Sequence, residues 1–376
     1  MPQFLHCEII DERYQSKQVI GVRVRQDHYV NNVDPTALKE GHDDAFAGVK
    51  DIFEIAATIN DHHLSGRDLQ YRAIALTQGR WGMCLIKGLP VDRWSEDEAR
   101  LACWGLGLHM GVARTQNRAS ACIADVRNEG GAYKATNGRG YNTNAGLDFH
   151  CDSCDVVGLL CRRAARSGGD SYVVSSIALV DEIARRRPDL LPVLKGPWYH
   201  SYQSAQAPGQ PSYYVCPIVG DEPQFALRAN RKNVMAAQRD FDDVPRLTPQ
   251  QVEVLDLMDE LMQDPRLCYS MRLEQGDFQL LNSYVTLHSR TNFVDFDEPD
   301  LKRHLFRLWL AVPGAQPLPA SFETYFGDVR AGAVRGGLYG SAMTQEFLDF
   351  ERHHAAELGM LCKLRPLLRP AETVPA

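Results

Sequence analysis

A chain of 376 residues with 44% hydrophobic and 24% charged side chains has the apolar content for a sizeable core. Its formal charge of −7 argues against a protein built to grip nucleic-acid phosphates, and no window is apolar for long enough to cross a bilayer. The start, MPQFLHCEIIDERYQ, lacks the regions of a secretion signal, so the ten scattered cysteines read as reduced thiols in a cytoplasm.

Residues 1–40 alternate weakly, with 18–25 as an early strand; 42–58 has helical period and 69–77 continues a helical layer. GMCLIKGLP at 82–90 is a short apolar strand closed by Gly and Pro. Ser95-Glu-Asp-Glu98 is a capping box that starts a helix through about His109, and 121–126 is a further strand candidate. The stretch 130–146, GGAYKATNGRGYNTNAG, has no period and reads as a lid before the strand LDFHCDSCDVVGLL at 147–160. Beyond it come a strand at 170–176, a helix at 178–187 stopped by Pro188, strands within 199–219 and 225–228, and a helix at 248–264. Strands at 269–278, 280–287 and 303–312 and a helix at 343–361 complete the chain. There is no repeat or linker. Many short strands with a few helices imply one mostly β domain with flanking helices, built on a jelly-roll core.

The strand at 147–160 carries His150 and Asp152, which alternation places on one face about 6–7 Å apart. An H-x-D by itself says little: His42/Asp44 is another, and reads as helix-start residues. Cys151-x-x-Cys154 is half a zinc motif, with no second CxxC. His288 ends an apolar strand, and Arg303 and Arg307 sit in another. Two histidines and a carboxylate on one face of an iron leave three positions open. A buried arginine needs a partner, which a dicarboxylate ligand supplies. From the residues alone, a hydrogen-bonded core pair at His150/Asp152 and a satisfied buried His288 stand equal to the metal reading.

The blocks GMCLIKGLP, FHCD, SGGDS at 167–171, GD…LLNSYVTLHSR and RHLFRLWL occur in an order and spacing that resembles the taurine/dichlorophenoxyacetate dioxygenase group of Fe(II)- and 2-oxoglutarate-dependent oxygenases, from about Gly82 to Val312. The resemblance implies a double-stranded β-helix (cupin-like) core over 82–312, with 1–80 as a layer packed on it and 313–376 as a C-terminal extension. It implies His150, Asp152 and His288 as iron ligands, Arg303 and Ser171 on the distal carboxylate of 2-oxoglutarate, and Arg307 toward the metal-bound carboxylate or the substrate, the two arginine roles being exchangeable. Fe(II), 2-oxoglutarate and O2 are then the cofactors, a small molecule is the substrate, and succinate and CO2 are released. Related halogenases lack the carboxylate, so Asp152 points to hydroxylation, desaturation or cyclisation. Tyr133, Tyr141, Asn142 and Asn144 are substrate-contact candidates from their lid position. Two other readings keep the fold: a cupin-type metalloenzyme without a keto acid, and a non-catalytic small-molecule binder. No nucleic-acid or membrane partner is expected, and a homo-oligomer is left open.

Overall fold

A computed structural model describes residues 66–363 except 134, 136, 137 and 341; the strand and helix expected before residue 60 lie outside them. Ten strands form the two principal sheets: β1 Met83–Ile86, β2 Val112–Ala113, β3 Ile123–Val126, β4 Leu147–His150, β5 Val156–Arg163, β6 Ser171–Ser175, β7 Cys268–Met271, β8 Phe278–Asn282, β9 Thr286–Arg290 and β10 His304–Ala311. The helices are α1 Gly66–Gln78, α2 Glu96–Met110, α3 Ser176–Arg186, α4 Arg231–Asp240, α5 Pro249–Leu261 and α6 Gln345–Glu357, with shorter turns between them.

The larger sheet runs β1-β8-β5-β10-β2 with β3 also on β10; the smaller runs β7-β6-β9-β4, and every pairing is antiparallel. Period-two alternation decides which side chains face in. In β10, Phe306, Leu308 and Leu310 pack outward with Ala99, Cys103 and Met110 of α2. Their neighbour Trp309 joins Val157, Val173 and Leu281 in the layer between the sheets. The smaller sheet buries Val174 and Leu287 against Leu179 and Ile183 of α3 and Val254 and Met258 of α5. The result is a jelly roll flanked by helices. α2 has the expected capping box, with Ser95 Oγ accepting from Glu98 N and Glu98 accepting from Ser95 N. Among the described residues no helix is long and apolar enough to cross a membrane.

Three sequence expectations are corrected here, two of them for one reason. The run 147–160 is two strands, β4 and β5, and the run 280–287 divides between β8 and β9. In both places the chain crosses from one sheet to the other, as jelly-roll closure requires, through 151–155 and 283–285. The residues at these breaks are buried like the strands on either side, so no exposed turn marks them in the sequence. The expected strand 269–278 likewise ends at Met271, and β8 begins at Phe278. The helix α4 went unanticipated: its buried stripe is only Val234, Ala236 and Ala237.

The two crossings are tied together by Asp155, which has no exposure. Its carboxylate accepts from Tyr284 Oη (2.7 Å), Arg335 Nε (2.7 Å) and Val312 N (3.0 Å), and its carbonyl accepts from Ser283 N (3.0 Å). Arg335 is also fully buried, so removing the charge of Asp155 strands a guanidinium in the core. Asp155→Asn is therefore expected to lower the free energy of unfolding by about 3–5 kcal/mol. A denaturation midpoint equal to that of the wild type would contradict this.

Candidate active site

β9 pairs with β4 so that His288 lies directly opposite His150. Opposed residues in an antiparallel pair have their side chains side by side, and the two imidazole centroids are 4.4 Å apart. Past His288 the register shifts, Arg290 opposing Leu147, a bulge at the end of the sheet that carries the site. Asp152 is not on the strand: β4 stops at His150, and the crossing brings the carboxylate back over the two rings. His150 Nε2 is 3.9 Å from Asp152 Oδ1, and His288 Nε2 is 3.8 Å from Asp152 Oδ2. One ligand atom from each residue lies within 4.8 Å of the others, spacing suited to a shared ion.

The protonation states fit a metal. His150 Nδ1 lies 2.9 Å from the Asp148 carbonyl, which can only accept, so Nδ1 carries a proton and Nε2 is the nitrogen left for the site. Burial, with His150 nearby, pushes His288 down to about 3, so its imidazole is neutral. Burial alone would raise Asp152, but Arg307 first, and a hydrogen bond from Trp309 Nε1 (2.9 Å), hold the carboxyl below its ordinary range. Neutral imidazoles and an ionised carboxylate are the forms that bind a divalent ion.

Arg303 enters the interior just before β10 and is 5% exposed. Its Nη1 is buried without a hydrogen-bond partner, and burial lowers the guanidinium to about 10. Gly169, at φ +76°, faces it: a Cβ there would lie 3.1 Å from Arg303 Nε. A side chain at 169 would press on the guanidinium, and glycine leaves that side clear. Ser171 is buried and donates to Gln279 Oε1 at 3.1 Å. Arg307 is elsewhere. Its Nε donates to Gln116 Oε1 (2.8 Å), and its Nη1 is 3.7 Å from Asp152 Oδ2. An unpartnered buried guanidinium beside a metal donor set suits a chelating keto acid with a second carboxylate.

His150, Asp152, His288, Ser171, Arg303, Arg307 and Trp309 line one cavity of about 160 Å³. Tyr133 and Tyr141 line it as well; Asn142 and Asn144 do not. Asn142 instead accepts at its carbonyl from Glu129 N and Gly131 N, and Asn144 from Phe293 N, so both hold the lid's backbone. Sequence reasoning passed over Arg290, Arg139, Lys232 and Gln203. Period two from His288 would have placed Arg290 on the inward face. Lys232 arrives on the unanticipated α4, which docks because Asn230 bridges to His150 at the edge of β4.

The sequence pattern of the taurine catabolism dioxygenase TauD, TfdA family matches residues 51–309. The chain belongs to that family. This TauD/TfdA member is an Fe(II)- and 2-oxoglutarate-dependent dioxygenase acting on a small molecule, which sets aside both the keto-acid-free metalloenzyme and the non-catalytic binder. FR-33289 synthase of Streptomyces rubellomurinus is 29% identical to it over 305 residues, 75% of this chain and 88% of that one. Uridine-5'-phosphate dioxygenase of Amycolatopsis sp is 26% identical over 204 residues, 52% and 71% of the two chains. The solved asparagine oxygenase in complex with Fe(II), 2S,3S-3-hydroxyasparagine and succinate is similar in fold over 65% of this chain and 82% of that one, with TM-score 0.50 at 17% identity.

Trp309→Phe keeps an aromatic ring but removes the indole N–H that donates to Asp152. Metal affinity, read by competition with a chelator, is expected to fall about 10–100-fold. Unchanged affinity would show that the indole donor does not set the carboxylate.

Proposed function

We propose that His150, Asp152 and His288 hold the iron of this TauD/TfdA oxygenase, and that Arg303 holds the distal carboxylate of 2-oxoglutarate. The observation that carries the second assignment is the orphaned, buried Nη1 of Arg303, on a guanidinium whose Nε side Gly169 leaves uncovered. Arg307, already engaged by Gln116 and Asp152, serves the metal-side carboxylate or the substrate. Bound there, iron supplies open positions for the keto acid and dioxygen, and so the oxidation that yields succinate and CO2. The protein's part is positional. Trp309 and Arg307 keep Asp152 ionised and aimed, Asp148 fixes the His150 tautomer, and the guanidinium of Arg303 sets the depth at which a dicarboxylate lies. Ser171 lines the same cavity, and its hydroxyl, which now donates to Gln279 Oε1, would have to turn from that oxygen to serve the same carboxylate. Retention of Asp152 favours hydroxylation, desaturation or cyclisation as the outcome. The nine described cysteines are free thiols, which supports a cytoplasmic enzyme. A small molecule, rather than nucleic acid or membrane, is the partner that a cavity of this size accepts.

Arg303→Gln is expected to raise the 2-oxoglutarate concentration needed for the anaerobic metal-to-ligand absorbance band by about 10–100-fold. Arg307→Gln should move it less; the reverse order would exchange the two roles. Asp152→Ala should abolish or redirect turnover while leaving the unfolding midpoint within a few degrees of wild type, since coordination rather than packing is removed. Normal turnover in that variant would refute the ligand set.

A further inference from the structure

In a chain of net charge −7, six basic side chains line this one cavity, and among its described lining residues Asp152 is the one carboxylate. Arg307 lies against Asp152. On the reading above, Arg303 takes the keto acid. Four cations remain, and each donates to neutral acceptors. Arg228 donates to the Cys151 carbonyl and the Tyr214 and Tyr325 hydroxyls, and Arg290 to the Thr143 and Ala145 carbonyls. Arg139 Nη2 donates to the Gln203 carbonyl (2.9 Å), and Lys232 Nζ to the carbonyls of Tyr133 (2.6 Å) and Gly138. Loading does not relieve this excess, because ferrous iron and the 2-oxoglutarate dianion cancel. Uncompensated charge in a desolvated site is costly, and a bound counter-charge offsets it.

Arg228 and Arg290 are buried in the wall itself, 2% and 6% exposed. Arg139 and Lys232 are only partly buried, at the place where the lid meets α4, with the Lys232 ammonium 4.1 Å from the Tyr133 ring centroid. Beside them Gln203 is 6% exposed and its Oε1 has no partner. Its Nε2 donates to Asn233 Oδ1, which leaves the Asn233 amide N–H groups to serve a ligand. We propose that the substrate carries an anionic group (phosphate, phosphonate, sulfonate or carboxylate) seated on Arg139 and Lys232. This rests on the assignment of the iron and keto-acid residues only in that it leaves those two cations to the substrate. Lys232 faces Arg139, Asp148, Arg239 and the Tyr133 ring; burial first, then Arg139, lowers it to about 8. An anion there is thus held best while the ammonium keeps its proton.

The test is calorimetric titration of sulfate, isobutyrate and isobutyramide into full-length protein loaded with zinc and 2-oxoglutarate, which occupies the iron site without turnover. Sulfate or isobutyrate should bind and isobutyramide should not, the stronger of the two anions separating a tetrahedral group from a carboxylate. Arg139→Gln and Lys232→Gln should each weaken the anion by about 10–100-fold while leaving the 2-oxoglutarate affinity of the loading step unchanged. Wild-type anion affinity should fall as pH rises through about 8, and Lys232→Gln should lose that fall. Isobutyramide binding as tightly as the anions, or both variants binding them like wild type, overturns the proposal. Failure of the iron and keto-acid assignment registers separately, as absent 2-oxoglutarate binding on loading, and the anion titration is then read on the metal-free protein.

Discussion

Asp155 sits where the two sheets exchange chain, and the geometry of the site follows from how that carboxylate is satisfied. Tyr284, Arg335 and Val312 come to it from the second crossing, the C-terminal segment and the end of β10. A buried charge held from three directions leaves little freedom. The crossing at 151–155 carries Asp152, the crossing at 283–285 leads into His288, and His150 ends the strand before the first. Fixing the crossings to one another therefore fixes three donor groups contributed by separate parts of the chain. The flanking helices bury the outer faces of both sheets, and the polar interior is what remains for chemistry.

That interior is divided by charge. One end has the proposed metal donors, with Arg307 and Trp309 turned toward Asp152 and Gly169 clearing space for Arg303. The other is made by the lid and α4, where lysine and arginine donate to backbone carbonyls and keep their positive charge unneutralised. Low-dielectric walls make this asymmetry a stronger selector than the same charges would be in water. Specificity thus resides in residues that the iron chemistry does not touch, on the segments least constrained by the sheets.

How far the sequence disclosed this varies with the kind of signal. Local chemistry was legible: Ser95 and Glu98 announced α2, Pro188 ended α3, and Thr248 with Pro249 opened α5. His150, Asp152 and His288 were singled out and do converge, although by a different route from strand alternation, since Asp152 lies beyond the end of β4. The sheet-to-sheet breaks were invisible because they are buried like the strands they join, Cys154 and Tyr284 being as buried as any residue in the strands. Arg139 and Lys232 were unreadable for another reason. A basic residue in a lid or on a short, mostly polar helix looks like solvated surface until the fold closes it over a cavity.

The most direct measurement is anomalous diffraction at the iron edge from crystals loaded anaerobically with Fe(II) and 2-oxoglutarate. A single peak bound by Nε2 of His150, Nε2 of His288 and the Asp152 carboxylate, with the far carboxylate of the keto acid on Arg303, is the predicted result. Iron held by any other set of side chains, or a keto acid that leaves Arg303 without a partner, would contradict the account.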